Sequence, residues 1–188
     1  SAEAAIAIGS VSTLTAGNLY SISSLSDLNK LASLVNSGQA SNCTFILTGD
    51  IDMANSPGYI PIGTDEHKFM GTFYGNGHVI SNVSISQSGT SGVGIFGVTG
   101  NTARILDLGV ENATVSGKDY TGVIVGNSAG TITNCYVKGN VNVNGNSYVG
   151  AITGQATNTI ASSYTSGNIN INGSGYVGGL AGYINNTV

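Results

Sequence analysis

The stretch that decides the fold is residues 120–147, YTGVIVGNSAGTITNCYVKGNVNVNGNS, because the next residues repeat it. Residues 148–175 are YVGAITGQATNTIASSYTSGNININGSG, and a third copy begins at residue 176 as YVGGLAGYINNTV. Tyr120, Tyr148 and Tyr176 are therefore spaced 28 residues apart. A fixed period with matched apolar positions is typical of one structural unit stacked on itself.

Each copy contains three β-prone segments, which in the second copy are 148–153, 159–164 and 168–172. Gly154, Gly167 and Gly173 are predicted to mark the breaks between them. The pattern predicts an all-β protein, a parallel β-helix (β-solenoid) with three short strands in each 28-residue rung. Asn-Gly pairs at 144–145 and 172–173 would also suit a repeated β-hairpin meander. We favour the β-helix because the register does not drift, as rungs stacked about 4.8 Å apart require.

Stacking predicts which side chains meet between rungs. The four predicted interior columns are Ile124 with Ile152 and Leu180, Ile132 with Ile160 and Val188, Val141 with Ile169, and Val143 with Ile171. Aromatic ladders are predicted on the wall, with Tyr136 over Tyr164 and Tyr120 over Tyr148 over Tyr176.

The rest of the chain is less regular. Residues 1–42 are predicted to form an N-terminal capping region with one short helix at about residues 26–37, with Ser26 as its N-cap. Residues 43–188 are predicted to form the β-helix, with irregular rungs to about residue 119 and regular repeats from residue 120. The third copy stops less than halfway through a unit, so we expect this sequence to be part of a longer repeat array.

Composition excludes several classes of protein. Only 7% of the 188 residues are charged and 40% are hydrophobic, which favours an ordered chain. The formal charge of −4, without a basic stripe, argues against nucleic acid as a partner. No apolar run is long enough to predict membrane insertion. Cys43 and Cys135 match no metal-binding spacing, and a disulfide between them would require distant rungs to meet. We expect no cofactor and no metal.

Catalytic residues are not expected either. The candidate carboxylates are Asp50 and Asp52, Asp65 and Glu66, Asp107 and Glu111, and Asp119. None recurs in register, whereas glycoside hydrolysis generally needs two carboxylates facing each other across a cleft. Asp50 and Asp52 are interpreted as a solvated or turn-bonding pair. The two histidines, His67 and His78, belong to no metal-binding motif.

The most distinctive polar feature is the third segment of each repeat, where asparagine alternates with Val or Ile. Alternation in a strand directs the apolar residues inward and the asparagines outward. The predicted ligand-binding residues are Asn140, Asn142, Asn144, Asn168, Asn170 and Asn172. They would either saturate one another's amides or offer a flat, neutral surface to carbohydrate or a protein partner, and ordering of water is a third possibility.

Three short segments resemble the GLUG repeats of bacterial surface proteins. They are residues 179–182 (GLAG), residues 71–80 (GTFYGNGHVI) and residues 132–136 (ITNCY). The second copy departs from this pattern at 150–154 (GAITG), where Ile replaces Leu. Such regions also occur beside the protease domains of immunoglobulin A peptidases, and the resemblance implies a secreted or cell-surface location.

We therefore expect a non-catalytic repeat module, an adhesin-like stalk or binding segment of a larger bacterial protein, whose partner is carbohydrate or a host surface protein. The alternative is an accessory domain of a secreted protease or polysaccharide-degrading enzyme whose catalytic residues lie elsewhere.

Overall fold

The chain forms a β-solenoid of about six turns with one short α-helix. A computed structural model describes residues 4–186. All pairings between its strands are parallel, and each strand pairs with a strand of a neighbouring turn. The predicted fold class is confirmed.

Three parallel sheets form the walls of the solenoid. Sheet A has the order β1 (Ile6–Ala7), β2 (Leu19–Ile22), β3 (Thr44–Leu47), β5 (Thr72–Tyr74), β8 (Arg104–Leu106), β11 (Thr131–Thr133) and β15 (Ile160–Ala161). Sheet B has the order β4 (Ile51–Asp52), β6 (Val79–Ser86), β9 (Gly109–Ser116), β12 (Tyr136–Asn144) and β16 (Tyr164–Asn172). Sheet C has the order β7 (Phe96–Thr99), β10 (Val125–Ser128), β14 (Thr153–Ala156) and β18 (Ala181–Ile184). A fourth, two-stranded sheet pairs β13 (Val149–Gly150) with β17 (Val177–Gly178).

The N-terminal segment contributes to the stack as well as to its cover. Strands β1 and β2 precede residue 43 and extend sheet A upstream of the first predicted rung. A 3-10 helix, Ile8–Ser10, follows β1, and helix α1 (Leu25–Asn36) lies between β2 and β3. The division of the chain at residue 43 stays a prediction.

The N-cap of helix α1 lies two residues earlier than predicted. Ser24 has an extended backbone, and its hydroxyl accepts a hydrogen bond from the Asp27 N–H at 3.2 Å. The prediction of Ser26 as N-cap was wrong, because Ser26 lies inside the first helical turn. The Asp27 carboxylate accepts a hydrogen bond from the Ser23 N–H at 2.8 Å, and its charge suits a helix N-terminus. The helix buries three of its four leucines, Leu28, Leu31 and Leu34, in the common core, and Leu25 packs against it partly buried.

The predicted columns appear in the core. Ile132 pairs with Ile160, Val141 with Ile169, and Val143 with Ile171. The Ile124 N–H donates to the Ile152 carbonyl, and both side chains are fully buried. Leu180 continues this column in the last described rung, where it is 40% exposed. Val188, the predicted end of another column, lies outside the described residues.

The predicted aromatic ladders are also present. The Tyr120 and Tyr148 ring centroids are 4.8 Å apart and those of Tyr148 and Tyr176 are 5.1 Å apart. The rings of Tyr136 and Tyr164 stack at 5.4 Å. All three pairs lie within 20° of parallel, which is the consequence of identical residues on adjacent rungs.

Two of the three glycines that were predicted to mark breaks between strands do not do so. Gly154 and Gly167 lie inside β14 and β16, so their assignment as breaks was wrong, whereas Gly173 directly follows β16. Left-handed residues other than glycine mark corners, including Tyr148 at φ 59° and Ser162 at φ 51°. Gly167, at φ 101°, instead bends β16 without ending its pairing with β12, because glycine tolerates this conformation at little cost.

The hydroxyl of Thr121 is buried without a hydrogen-bond partner among the described residues. Thr121 is fully buried, its Oγ1 has no hydrogen-bond partner within residues 4–186, and its bridge partners in the adjacent rungs are Val93 and Val149. Thr121→Val should therefore raise the free energy of unfolding by about 1 kcal/mol, because an unpaired buried hydroxyl is destabilising. Urea denaturation measures this change. The exposed Thr114 provides the control, since Thr114→Val should change stability by less than about 0.5 kcal/mol. A destabilised Thr121→Val protein would contradict the assigned environment.

Candidate polar binding face

The six predicted asparagines lie together on the outer surface of sheet B, and we call this surface the Asn face. Asn140, Asn142 and Asn144 belong to β12, and they pair in register with Asn168, Asn170 and Asn172 of β16. The alternate residues of β12, Val141 and Val143, are fully buried. The inward and outward assignments from alternation therefore match the structure, while the binding role stays a prediction.

The Asn face has three columns of paired residues, Asn142 with Asn170, Asn144 with Asn172, and Asn140 with Asn168. The first two columns form an amide ladder. Asn170 Nδ2 donates to Asn142 Oδ1 at 3.3 Å, and Asn172 Nδ2 donates to Asn144 Oδ1 at 3.0 Å. Each Asn amide has two N–H donors and an acceptor oxygen with two lone pairs, so one bond per pair leaves donors and acceptors available. The ladder holds these amides at fixed positions and still leaves them able to bind a ligand.

The third column differs from the other two. The backbone N–H of Asn140 donates to Asn112 Oδ1 at 3.0 Å. The side chains of Asn140 and Asn168 are exposed and make no hydrogen bond within residues 4–186. These two amides are therefore the least committed on the Asn face.

The polar surface extends beyond the predicted residues. Ser84 and Thr114 pair in the column that continues to Asn142, and Ser86 and Ser116 pair in the column that continues to Asn144. A shallow groove of about 290 Å³ crosses this region, lined by Asn82, Val83, Asn112, Ala113, Thr114, Asn140 and Asn142. Every lining residue is uncharged. Neither Ser84 nor Thr114 was predicted on this face, although Thr114 lies one regular period before Asn142; only the step from Thr114 back to Ser84 departs from the 28-residue spacing.

One ion pair lies next to the Asn face. Lys138 Nζ lies 2.9 Å from Glu111 Oε1 and 5.2 Å from the centre of the Tyr136 ring. The hydrogen bond to Glu111 raises the pKa of Lys138. This pair flanks the face without giving it a net charge.

The stack of Tyr120, Tyr148 and Tyr176, which we call the tyrosine ladder, follows the Asn face in the chain. The chain runs from Asn144 through a corner to Tyr148. Tyr183 of β18 contacts both Tyr148 and Tyr176 edge-on, with ring centroids 5.8 and 5.4 Å away. Tyr176 is 56% exposed. The ladder thus places an aromatic surface beside a neutral amide surface.

The candidate carboxylates support turns. Asp50 Oδ1 accepts from the Val79 N–H at 2.9 Å and lies 3.2 Å from His78 Nδ1, and the hydrogen bond from Val79 is the main reason that the pKa of Asp50 is lowered. Asp52 Oδ1 accepts from Asn82 Nδ2 and from the Ala54 N–H, both at 2.9 Å. Both hydrogen bonds lower the pKa of Asp52, and the bond from Asn82 has the larger effect. Both carboxylates thus bond the segment 50–52 to the segment 79–82 of the next rung.

The region around His67 forms a separate and larger groove, of about 900 Å³. Its lining includes Gln39, Ser41, Glu66, His67 and Thr102. His67 Nε2 lies 3.9 Å from Glu66 Oε1, and Glu66 is well exposed. Within residues 4–186, no three His, Cys, Asp or Glu side chains are grouped so that they could hold a metal ion.

The two cysteines are separate, buried and free. Burial raises the pKa of Cys43 and raises that of Cys135 to about 11. Cys135 Sγ donates to the Thr133 carbonyl at 3.3 Å and occupies the wall position that Ser163 takes one rung later. These thiols are therefore wall residues rather than nucleophiles.

Comparison with known proteins relates the chain to segments of much longer sequences. No protein-family model matches it. Over 138 residues, or 68% of the chain, it is 38% identical to a protein named halomucin from Haloquadratum walsbyi. Over 132 residues, or 66% of the chain, it is 30% identical to a "Putative Gly-rich membrane protein" from Evansella cellulosilytica. These matches span only 2% of the first protein and 15% of the second.

A solved structure shares the fold. The crystal structure of a "putative immunoglobulin A1 protease" from Bacteroides ovatus superposes with a TM-score of 0.60 at 21% identity, and the match covers 89% of this chain and 62% of that one. No helix within residues 4–186 is both long and apolar enough to cross a membrane. The chain thus shares a β-solenoid with this structure and sequence segments with a halomucin and a Gly-rich membrane protein.

Proposed function

We propose that the chain is a non-catalytic module of a secreted or cell-surface protein, an adhesin-like stalk that binds a neutral ligand through the Asn face. The observation that carries this proposal is the in-register array of outward amides, which a rigid wall of stacked strands holds at fixed positions. Solenoids present extended, repeated surfaces of this kind. The names of the two sequence relatives and the resemblance to GLUG repeats support a location at the cell surface.

The chemistry of the face favours carbohydrate, with a polar protein surface as the other candidate partner. Sugar hydroxyls both donate and accept hydrogen bonds, as amides do. The asparagines, Ser84 and Thr114 offer both kinds of group without charge, and the tyrosine ladder adds aromatic surface nearby. Asn140 and Asn168, whose amides are uncommitted, and the spare donors and acceptors of the two laddered columns would bind the ligand together.

The proposal assigns no catalysis to this chain. Asp50 accepts from the Val79 N–H and lies beside His78, Asp52 accepts from Asn82 and the Ala54 N–H, and Glu66, beside His67, is exposed. In the described part of the chain, no second carboxylate has been placed across a cleft from any of them. We therefore expect the purified chain to show no hydrolase or lyase activity on polysaccharides or immunoglobulins.

The binding face is tested by replacing Asn142 and Asn170 together with Ser. On a glycan array and then by calorimetry with any glycan found, the double variant should lose about 1–3 kcal/mol of binding free energy, because two amide hydrogen bonds are lost or weakened. The matched control is Asn55→Ser with Asn101→Ser, two exposed turn asparagines away from the face. Affinity of the unaltered chain should change little with added salt, since the contact is neutral. Unchanged affinity in the Asn142/Asn170 variant would move the site elsewhere, first to the groove around His67.

An accessory domain of a secreted protease is the second candidate, and the shared fold with the "putative immunoglobulin A1 protease" favours it. In that role the chain should bind the substrate of the catalytic domain without cleaving it. Immobilised immunoglobulin A1 distinguishes the two functions: retention of the chain without cleavage favours the accessory role, and no retention favours the stalk.

A further inference from the structure

The shallow groove beside the Asn face runs along the axis of the solenoid. Its lining comes from three neighbouring strands, β6, β9 and β12, which pair side by side in sheet B. A groove that touches all three strands crosses them and follows the direction in which the rungs stack. We call it the axial groove. Each of the three strands lies between two other strands of the sheet, so the axial groove belongs to the middle of the stack.

A column of left-handed residues bends sheet B along this groove. Asn82 and Asn112 have φ angles of 55° and 57°, and Gly139 and Gly167 take the same place in β12 and β16 at 92° and 101°. Gly139 and Asn140 together lie opposite Asn112, where the register between β9 and β12 shifts. Bulges of this kind bend a strand and redirect its side chains. Because the bend recurs at one place in four successive rungs, it forms a continuous crease.

The axial groove combines an apolar floor with uncharged polar rims. Val83 and Ala113 pair in adjacent rungs at the floor, where both are almost fully buried. The rims carry side-chain amides and a hydroxyl, including those of Asn112 and Thr114. A sugar ring has the same combination of groups, with C–H bonds on its faces and hydroxyls around its edge.

Two rim amides are held in place by bonds to neighbouring rungs. Asn82 Nδ2 donates to Asp52 Oδ1 at 2.9 Å, and Asn112 Oδ1 accepts from the Asn140 N–H at 3.0 Å. An amide has two N–H donors and two acceptor lone pairs, so one such bond leaves it able to bind a ligand. The groove therefore offers positioned donors and acceptors before any ligand arrives.

The spacing of the rungs selects the kind of chain that fits. Outward polar groups recur about every 4.8 Å along the axis, in the column Ser84, Thr114, Asn142 and Asn170. One sugar unit of an extended glycan has a similar length. An extended peptide presents side chains of one face about every 6.6 Å, so it falls out of step with the rungs. A peptide also cannot add as a strand here, because the strands that line the groove already lie between two others.

We propose that the axial groove binds a linear chain of neutral, β-1,4-linked hexoses lengthwise, with one sugar unit on each rung. This inference rests on the proposed function, and it adds the linkage and the direction of the bound glycan. The β-1,4 linkage gives a straight, extended chain that a straight groove can follow, whereas α-1,4-linked chains coil. Hydroxyls of each sugar would bond to the rim amides and hydroxyls, and its C–H groups would contact Val83 and Ala113.

Calorimetry with oligomers of β-1,4-linked glucose and of β-1,4-linked mannose, from two to six units long, tests the direction of binding. At least one series should bind. Its dissociation constant should fall at least about tenfold between the two-unit and four-unit oligomers, because each further rung adds hydrogen bonds. The affinity should then level off, since the outward column from Ser84 to Asn170 spans four rungs.

A double variant tests the place of binding. Asn82→Gly with Asn112→Gly removes two groove amides and keeps the left-handed backbone, which glycine adopts readily. It should raise the dissociation constant of the four-unit oligomer at least about tenfold. The matched control is Asn76→Gly with Asn134→Gly, two exposed asparagines with φ angles of 56° and 53° that lie outside the groove. This control should leave the affinity unchanged.

Three results would each overturn the lengthwise site: binding of neither series, equal affinity at all lengths, and binding that the Asn82/Asn112 variant leaves intact. A wider glycan array separates this failure from failure of the proposed function. If a branched or α-linked glycan binds there and loses affinity in the Asn142→Ser, Asn170→Ser variant, the Asn face binds carbohydrate but the axial groove takes no β-linked chain. If no glycan binds, the lengthwise site and the carbohydrate ligand of the proposed function both fail.

Discussion

Ile152→Asp should unfold the chain or reduce its stability by several kcal/mol, because it places a carboxylate without a partner in the solenoid interior. Ile152 is fully buried between Ile124 of the preceding rung and Leu180 of the next. Stability of a small domain is commonly only about 5–15 kcal/mol, so a loss of this size is readily seen in the urea midpoint or the melting temperature.

The control is a carboxylate at an outward position of the same repeat. Asn170 is exposed and donates to Asn142 Oδ1, so Asn170→Asp loses one surface hydrogen bond and keeps its charge in water. It should cost about 1 kcal/mol or less. If both variants lost the same stability, the inward and outward assignments would be wrong.

Gly154→Ala should cost about 3 kcal/mol or more, since overpacked interiors lose about 1–3 kcal/mol and sometimes more when the neighbouring atoms cannot move. A Cβ at Gly154 would lie 2.4 Å from the Tyr148 carbonyl oxygen and 2.5 Å from the Thr121 nitrogen. The first is a backbone atom of the same rung and the second a backbone atom of the preceding rung, and the Thr121 N–H donates to the Tyr148 carbonyl, so relief would require this packed backbone to move apart. Thermal denaturation measures the loss.

Gly179→Ala is the matched control, because a Cβ built there meets no atom within 4 Å. It should leave stability within about 0.5 kcal/mol of the unaltered chain. If Gly154→Ala and Gly179→Ala lost similar stability, close contact between rungs would not explain why glycine stands at position 154.

The regular repeats could be predicted from the sequence because their spacing is constant. The constant register places Val141 on Ile169 and Tyr148 on Tyr176 without knowledge of the turns. Alternation then decides which side chains face outward, so the Asn face could be predicted as a surface. Leu180 was predicted in the correct column, next to Ile152, whose N–H donates to the Leu180 carbonyl.

The first half of the solenoid could not be aligned in this way. Tyr20 pairs with Phe45 across a shorter interval of sequence than the regular repeat, and Phe73 pairs with Ile105 across a longer one. Loops of unequal length hide these pairings and that of Ser84 with Thr114, whereas Thr114 lies one regular period before Asn142 and could have been placed on the polar face by extending the repeat upstream.

The corners were missed for a different reason. Glycine is the usual choice for left-handed backbone, yet Asn134, Tyr148 and Ser162 adopt it here. Asn134 gains a hydrogen bond from its Nδ2 to Asp107 Oδ1 of the preceding rung, at 2.6 Å. Bonds and stacks between rungs thus stabilise corner conformations that local sequence preferences do not indicate.

The central claim is that matching residues of successive repeats stack in parallel on adjacent rungs, and an engineered disulfide tests it most directly. In a Cys43→Ser, Cys135→Ser background, Asn142→Cys with Asn170→Cys should oxidise readily within one chain, because adjacent strands place their Cα atoms about 4.8 Å apart, within disulfide range. A hairpin around the Asn144-Gly145 turn would instead bring residue 142 opposite residue 147. Intact mass and free-thiol counts should show a disulfide in the Asn142/Asn170 pair and none in an Asn142→Cys, Ser147→Cys pair, and the reverse result would contradict the parallel solenoid.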